Sequence, residues 1–400
     1  MLTTETEQFN HLVARVMDIE DITAGDSKQK FLVRYRGRLR SDSEAAYDQL
    51  ATDLRPMEIT PLFRNEKGNH TIMLMAGVVN PKPSNPLVNL VLFALTVFSM
   101  FLVGAAYVYD KPYNTFGELF FGSLATLWKG WPFAVTLLTI LLCHEFGHYI
   151  AGRYHKTNVT LPYFLPMPLP GSFGTLGAFI QLKEPPKNRR VLLDIGLAGP
   201  LAGLIVAVPL LFLGLSLSTV SPIRLGAGEG IQIEGNSLLY LFSKFIVFGK
   251  LLPAPLSYGS TPPFLYWVRY FFTGHPIPVG GLDVMLSPVA WAAWAGLLVT
   301  ALNLIPAGQL DGGHLMYVLV GRRAQALLPF ILGALILLGT VWAGWWLWAF
   351  IIFFLGRVYA EPLDQITALD PRRRAMAILG LVVFLLVFMP VPLIQAFGGA

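Results

Sequence analysis

Three ionisable side chains interrupt an apolar run at residues 137–152, which reads LLTILLCHEFGHYIAG. His144, Glu145 and His148 form the pattern H-E-x-x-H, and residues four apart lie on one face of a helix, about 6 Å apart along its axis. Two imidazoles in this arrangement can bind one zinc ion, and the adjacent glutamate can act as base toward a water that the ion activates. The spacing predicts hydrolytic chemistry, with His144 and His148 as metal ligands and Glu145 as the catalytic residue.

A second interpretation of this motif is structural. His144 and His148 would then be packed core histidines, and Glu145 would be neutral. Three polar groups would lie in hydrocarbon without an identified partner, and that arrangement is costly. The cost favours the metal site over the structural interpretation.

A catalytic zinc site has a third protein ligand and an open position. Four other histidines lie outside the apolar segments: His11, His70, His155 and His275. The stretch 301–314, ALNLIPAGQLDGGH, combines a carboxylate with helix-breaking residues at compatible depth, so Asp311 is the predicted third ligand. Asp311 is also a candidate helix N-cap after a break at Pro306, because aspartate is a favoured cap. We interpret His314 as a packing or hydrogen-bonding residue, because a fourth ligand would close the site to water.

The composition is that of an integral membrane protein. The 400 residues are 54% hydrophobic and 13% charged, whereas about 25% charged residues is typical of soluble domains. The net charge of +5 indicates basic loops at a membrane surface, with no nucleic-acid partner expected. The single cysteine, Cys143, excludes an internal disulfide framework.

The chain divides into a polar N-terminal part and an apolar remainder. We predict a small α+β soluble domain at 1–80 with one sheet and one helix, a proline-rich linker at 81–86, and a membrane domain at 87–400. The fold class is therefore mainly α: a polytopic membrane protein with about six or seven spanning helices. The expected spans are 87–108, 131–152, 191–215, 288–320, 324–341, 343–358 and 376–397.

The basic loops give the orientation. They all fall on one side of these spans, and the loop 216–287 falls on the other. We expect a multi-pass protein of a bacterial plasma membrane, with the N-terminal domain and the active site towards the cytoplasm.

The segment 157–183 contains too much proline and glycine to form a spanning helix. Irregular backbone near a membrane persists only when it is buried in protein or lines a wet cavity. We hypothesise that residues 174–182 form a strand edge that accepts an extended peptide by β-augmentation.

Three ordered motifs resemble a known family. They are HEFGH at 144–148, GPLAG at 199–203 and NLIPAGQLDGG at 303–313, and together they are similar to the site-2 protease family of intramembrane zinc metalloproteases. The similarity covers roughly 130–320, where the family has a three-helix core. It implies zinc ligands at His144, His148 and Asp311, a catalytic Glu145, and proteolysis within or beside transmembrane helices.

The resemblance also implies supporting residues and partners. Asn303 and Pro306 match positions that orient substrate or shape a broken helix, and Gly199, Pro200 and Gly203 match positions of close helix packing. One zinc ion is the implied cofactor. Transmembrane substrates such as membrane-anchored regulators, cut by regulated intramembrane proteolysis, are the implied partners besides the lipid bilayer.

The chain departs from many bacterial members, which carry a PDZ domain where this chain has the loop 216–287. In this respect it resembles the cyanobacterial and plastid branch of the family. A transporter or metal-handling protein is the alternative function, because intramembrane His and Asp residues also form permeation sites. That alternative predicts paired repeats and a path of polar groups, and the sequence displays one cluster.

Overall fold

A computed structural model describes residues 2–25, 30–66, 68–169, 171–224 and 230–397. Within these residues the helices are α1 (Leu2–Ala14), α2 (Ser43–Leu54), α3 (Pro86–Tyr107), α4 (Phe116–Ala125), α5 (Trp131–Tyr154), α6 (Arg189–Ser216), α7 (Leu238–Phe248), α8 (Pro263–Thr273), α9 (Pro288–Asn303), α10 (Asp311–Val320), α11 (Leu328–Gly339), α12 (Gly344–Leu355) and α13 (Pro371–Val387). The strands are β1 (Met17–Ala24), β2 (Val33–Leu39), β3 (Ile59–Glu66), β4 (Asn69–Ala76), β5 (Tyr163–Met167), β6 (Gly174–Phe179), β7 (Thr219–Pro222), β8 (Gly230–Glu234), β9 (Leu282–Met285) and β10 (Leu393–Phe397).

The first four strands form one antiparallel sheet in the order β1-β2-β4-β3. Alternating residues of each strand face a core that includes Tyr35, Phe63 and Ile72, all fully buried. Both α1 and α2 pack on this core, so the segment has two helices where the sequence predicts one. We call this unit of four strands and two helices, residues 2–25, 30–66 and 68–76, the N-terminal sheet.

Among the described residues, four helical segments are long and apolar enough to cross a membrane: 86–107, 127–154, 189–216 and 311–339. Shorter apolar helices are α4, α7, α9 and α12. The chain is therefore mainly helical with membrane-spanning candidates, whereas the predicted count of six or seven spans is not confirmed. The prediction also lacked α4, which begins at the Thr115 N-cap.

Two of the predicted spans are broken or end early in the structure. The span 288–320 is broken into α9 and α10 by residues 304–310, where Gly308 has a φ of +54° that favours glycine. The span 376–397 is helical only to Val387. The sequence MPVP follows at 389–392, where proline cannot continue a helix, and β10 then pairs with β8.

The central bundle forms by close approach of α5, α6 and α9. Glycines allow this approach, since a Cβ atom at Gly147 of α5 would lie 2.6 Å from the carbonyl oxygen of Ala198 on α6. The β5–β6 hairpin packs beside α3, where a Cβ atom at Gly174 would lie 2.6 Å from the Cα of Met100. The bundle thus surrounds the H-E-x-x-H segment of α5 with helices on one side and a hairpin on another.

Candidate active site

The two histidines of α5 point to one place between helices. The Nε2 atoms of His144 and His148 lie 3.2 Å apart, and the side chains are 3% and 6% exposed. This is the arrangement expected for residues one helical turn apart on a buried face.

Glycines of α6 make room for both imidazole rings. A Cβ atom at Gly203 would lie 3.3 Å from Nδ1 of His144, and one at Gly199 would overlap the ring of His148. Pro200 lies between them and lacks the N–H that would otherwise bond the carbonyl of Gly196, a residue that lines the site. The structure therefore places the GPLAG segment directly against the H-E-x-x-H motif.

A backbone carbonyl sets the tautomer of His148. Nδ1 of His148 lies 2.7 Å from the carbonyl oxygen of Ile195, and a carbonyl can only accept a hydrogen bond. Nδ1 therefore carries the proton, and the lone pair of Nε2 faces the cluster. An outer hydrogen bond of this kind is typical of histidines that bind metals.

Asp311 completes the cluster as the first residue of α10. Its Oδ2 atom lies 3.3 Å from Nε2 of His144 and 3.4 Å from Nε2 of His148. Leu310 occupies the N-cap position of α10, so the alternative of Asp311 as N-cap is wrong. The break between α9 and α10 is what brings a carboxylate beside histidines from another helix.

The three donor atoms fit a zinc ion. In a tetrahedral zinc site with bonds of about 2.0–2.1 Å, neighbouring donors lie roughly 3.3–3.4 Å apart. The observed separations of 3.2, 3.3 and 3.4 Å match this spacing, and the set of two imidazoles and one carboxylate is one that zinc prefers.

The cluster opens onto a cavity of about 160 Å³, which we call the inner cavity. Glu145, 3% exposed, lines it together with the three donors. The amide nitrogen Nδ2 of Asn303 lies 3.4 Å from Nε2 of His144. The structure therefore brings Asn303 and Glu145 to the three candidate donors, whereas Pro306 lies in the chain break that positions Asp311.

His314 also lines the inner cavity, one helical turn after Asp311. It is not part of the three-donor cluster, and its Nδ1 is buried without a protein partner among the described residues. His155, another histidine near the site in sequence, instead lies 3.0 Å from Asp194 through Nε2.

The free edge of an extended segment that follows β6 forms part of the wall of the inner cavity. The carbonyl of Gln181 accepts from Thr160 N at 3.1 Å, and Lys183 N donates to Asn158 at 2.9 Å. Leu182 forms an isolated antiparallel bridge to Val159, and backbone groups alternate sides along an extended chain, so those of Ile180 and Leu182 point away from Asn158 and Thr160. Both residues line the inner cavity. The described residues provide no backbone hydrogen-bond partner for either.

Sequence reasoning missed two contributors to this site. One is the carbonyl of Ile195, which carries no side-chain signal. The other is Gln309, an exposed side chain that lines the inner cavity and lies inside the third motif. Its position two residues before Asp311 was the available signal.

Comparison with known proteins agrees with this geometry. The model of peptidase family M50 matches residues 132–339, which is more than half of the chain and includes all three motifs. The chain belongs to peptidase family M50. This is the site-2 protease family, so the resemblance drawn from the motifs is confirmed.

Several plant proteins are similar to this family member. The probable zinc metalloprotease EGY1, chloroplastic, of Arabidopsis thaliana is 31% identical over 264 residues, covering 65% of this chain and 43% of the relative. EGY2, chloroplastic, of the same plant is 30% identical over 274 residues, covering 68% and 44%. EGY1, chloroplastic, of Oryza sativa subsp. japonica is 28% identical over 394 residues, covering 90% and 62%. No solved structure matches the chain.

The coverage and names of these relatives limit what carries over. The chain spans less than half the length of the two Arabidopsis proteins. All three names place the relatives in chloroplasts, so they give no support to the bacterial plasma membrane predicted from the sequence. The membrane character itself is supported by the apolar helices.

Proposed function

We propose that this M50 family member is a zinc-dependent intramembrane endopeptidase that hydrolyses peptide bonds in or next to transmembrane segments. The observation that carries the proposal is the convergence of His144, His148 and Asp311 with Glu145 inside a bundle of apolar helices. Family membership favours a peptidase over the transporter alternative.

The proposed mechanism assigns a role to each group around the inner cavity. The three donors would hold one zinc ion, which when bound supplies Lewis-acid polarisation of the scissile carbonyl and of the attacking water. Glu145 takes the proton of that water and returns it to the leaving amine. The Asn303 amide lies beside the donors and is positioned to donate to the oxygen that gains negative charge.

The substrate is proposed to bind in extended form. A helical peptide bond has its carbonyl in the hydrogen-bond ladder of the helix, so the substrate must unwind before it is cut. The backbone groups of Ile180 and Leu182 offer that unwound segment new hydrogen bonds at the wall of the inner cavity. The unpaired edge would thus compensate part of the cost of unwinding.

Substrates of this kind include membrane-anchored regulators released by regulated intramembrane proteolysis.

The face of the protein that carries the N-terminal sheet also carries Arg190, Arg322 and Arg373. Positively charged loops gather on the cytoplasmic face, or on the equivalent stromal face of a plastid membrane. We assign the N-terminal sheet and the metal-proximal end of α5 to that face.

The catalytic assignment is tested in proteoliposomes that contain a helical membrane substrate. Glu145→Gln should retain zinc and lose cleavage, because the amide cannot accept the proton. Glu20→Gln, an exposed substitution on β1, is the matched control and should cleave like the wild type. Equal cleavage by wild type and Glu145→Gln would refute the mechanism.

The binding mode is tested separately with a photo-crosslinking residue at Ile180 or Leu182. We expect adducts with the unwound part of the substrate next to the cut. The control position is Phe121, which is 69% exposed on α4. Adducts at Phe121 with none at Ile180 or Leu182 would show that the strand edge is not used.

A further inference from the structure

A second and larger cavity, of about 660 Å³, adjoins the inner cavity. We call it the outer cavity. The two share five lining residues: Phe179, Ile180, Leu182, Gln309 and His314. The outer cavity is further lined by residues 183–186 and 359–361, two segments that we call the entrance loops. The same residues therefore line the cavity at the His144, His148 and Asp311 cluster and the cavity at the entrance loops.

Backbone hydrogen bonds join the two entrance loops where they leave the outer cavity. Leu363 N donates to the carbonyl of Pro186 at 3.0 Å, and Asp364 N donates to the carbonyl of Lys187 at 2.8 Å. The same short segment is bonded to strand β3 on its other side, because Phe63 N donates to Leu363 O and Gln365 N donates to Phe63 O, both at 3.0 Å. Residues 363–365 thus lie as a parallel strand between the N-terminal sheet and the other entrance loop.

A buried carboxylate fixes this strand to the sheet. Asp364 is fully buried, and its Oδ1 accepts from Ser43 Oγ of α2 at 3.0 Å and from Ile366 N at 2.8 Å. Its Oδ2 accepts from the hydroxyl of Thr367. Leu363 and Ile366 on either side pack against the core of the N-terminal sheet.

Ion pairs fix the other entrance loop to the same helix. Glu44 of α2 accepts from Arg190 Nη1 at 2.8 Å and from Lys187 Nζ at 3.3 Å. Asp48, one turn later, accepts from Lys187 Nζ at 2.6 Å. Both walls of the outer cavity therefore continue into segments that a single helix of the N-terminal sheet holds.

We propose that the N-terminal sheet is a clamp on the entrance to the metal site, with Glu44 and Asp364 as its positioning residues. The clamp sets the separation of the two entrance loops and keeps the edge at Ile180 and Leu182 in place beside the His144, His148 and Asp311 cluster. The inference rests on the proposed function only for the identity of the passing molecule, a peptide. The mechanical link from α2 to the cavity stands on the contacts alone.

Release of the clamp should open the cavity to water-borne reagents. The test uses a Gln309→Cys reporter in a Cys143→Ala background, and the rate of labelling by a charged, membrane-impermeant thiol reagent is measured. Gln309 is exposed and lines both cavities, and Cys143 is the natural cysteine that the background removes. We expect Glu44→Gln to raise the labelling rate several-fold.

A matched control lies on the same helix. Asp53 of α2 pairs with Arg15 at 3.1 Å within the N-terminal sheet, and the Asp53 side chain is 30% exposed against 31% for Glu44. Asp53→Asn removes an equivalent ion pair without touching an entrance loop, so it should leave labelling unchanged. Ser43→Ala, which removes a donor to Asp364, should act like Glu44→Gln.

Two measurements separate a clamp from general distortion. Glu44→Gln should raise KM for the membrane substrate while kcat and zinc content are retained, because the metal-binding atoms are untouched. The clamp would be overturned if all variants were labelled at the same rate, or if Glu44→Gln were labelled more slowly than the wild type. It would also be overturned if Glu44→Gln lost zinc and did not raise KM. Labelling requires neither zinc nor cleavage, so this measurement tests the clamp even if the protein cleaves no membrane substrate.

Discussion

Gly199 of α6 lies directly against the imidazole of His148, in the space that a larger residue would need. The same helix presents Gly203 to His144 at a slightly larger distance, with 3.2 Å from the Cβ position to the Cβ of the histidine. The glycines therefore leave the space that the two imidazole rings occupy, and a displaced His148 would move Nε2 away from Asp311. The two positions differ in how much room remains, and this difference is measurable.

Gly199→Ala should abolish zinc binding, whereas Gly203→Ala should weaken it only a few-fold. The first methyl group overlaps a ring, and the second needs a shift of a few tenths of an ångström. Gly333→Ala on α11 is the control, because no atom lies within 4 Å of its Cβ position and alanine gains up to about 1 kcal/mol of helix propensity. Zinc per folded protein, measured by mass spectrometry, distinguishes them. Equal zinc content in all three would contradict the packing argument.

Asp311→Ala should lower zinc affinity by more than about 100-fold, because loss of outer hydrogen-bond partners alone costs about 10–100-fold. Chelation of the wild type should have the same consequence, and added zinc should restore cleavage only in the wild type. The control is Asp110→Asn, an exposed aspartate after α3. Unchanged affinity in Asp311→Ala, measured by competition with a zinc indicator, would mean that another group is the third ligand.

The clustering of His144, His148 and Asp311 was predictable from sequence because these residues carry local signals. The H-E-x-x-H spacing places two donors on one helix face. The proline and glycines around Asp311 predict the chain break that directs its carboxylate toward these donors. The distance of each segment from the basic residues at its membrane boundary then indicates that the H-E-x-x-H segment and the Asp311 segment lie at the same depth in the membrane. The Ile195 carbonyl had no comparable signal, because a backbone group contributes there and only the fold brings it to His148. The edge at Ile180 and Leu182 lies within the segment 174–182 hypothesised from the sequence, but its position at the cavity depends on the fold.

The attachment of the N-terminal sheet was not predictable for a related reason. Asp364 lies in an unremarkable polar loop, and its partner Ser43 is 321 residues away. Local spacing likewise predicted helix through 376–397, where apolar residues continue beyond Val387 but Pro390 and Pro392 end the helix. Hydropathy indicates which segments are apolar; proline positions and long-range pairing decide their ends.

Asn303→Ala should lower kcat by about 10²-fold with zinc content unchanged, as for loss of one donor to a developing oxyanion. The physical reason is the position of its amide, 3.4 Å from Nε2 of His144 at the wall of the inner cavity. Asn303→Asp tests the same point, because a carboxylate cannot donate and adds charge. Steady-state cleavage together with zinc analysis checks both variants. If the variants instead bind less zinc, while each zinc-loaded molecule keeps the wild-type kcat, Asn303 supports the broken helix and does not act on the substrate.

Glu234 gives the segment around β8 a pH dependence, at a place distant from the metal site. It is 5% exposed, accepts from Tyr240 OH at 2.8 Å, and lies 3.9 Å from Lys244 Nζ. Burial and the Asp283 carboxylate raise the pKa of Glu234 from 4.5 to about 7, although Lys244 opposes the shift. A raised carboxyl pKa means that the contribution to stability is complete below about 4.5 and is lost as the pH rises through about 7.

Local protection of residues 230–248 should therefore fall between pH 5 and pH 8, after correction for intrinsic exchange. Glu234→Gln keeps the shape and cannot ionise, so it should remove most of this dependence. The N-terminal sheet is an internal control, because Glu44 has a pKa lowered by Lys187 and Arg190 against the effect of burial. Its contribution is present above the ordinary value of 4.5 and is lost only in more acidic solution. Hydrogen exchange followed by mass spectrometry measures both regions in one sample, and an unchanged slope in Glu234→Gln would show that another group titrates.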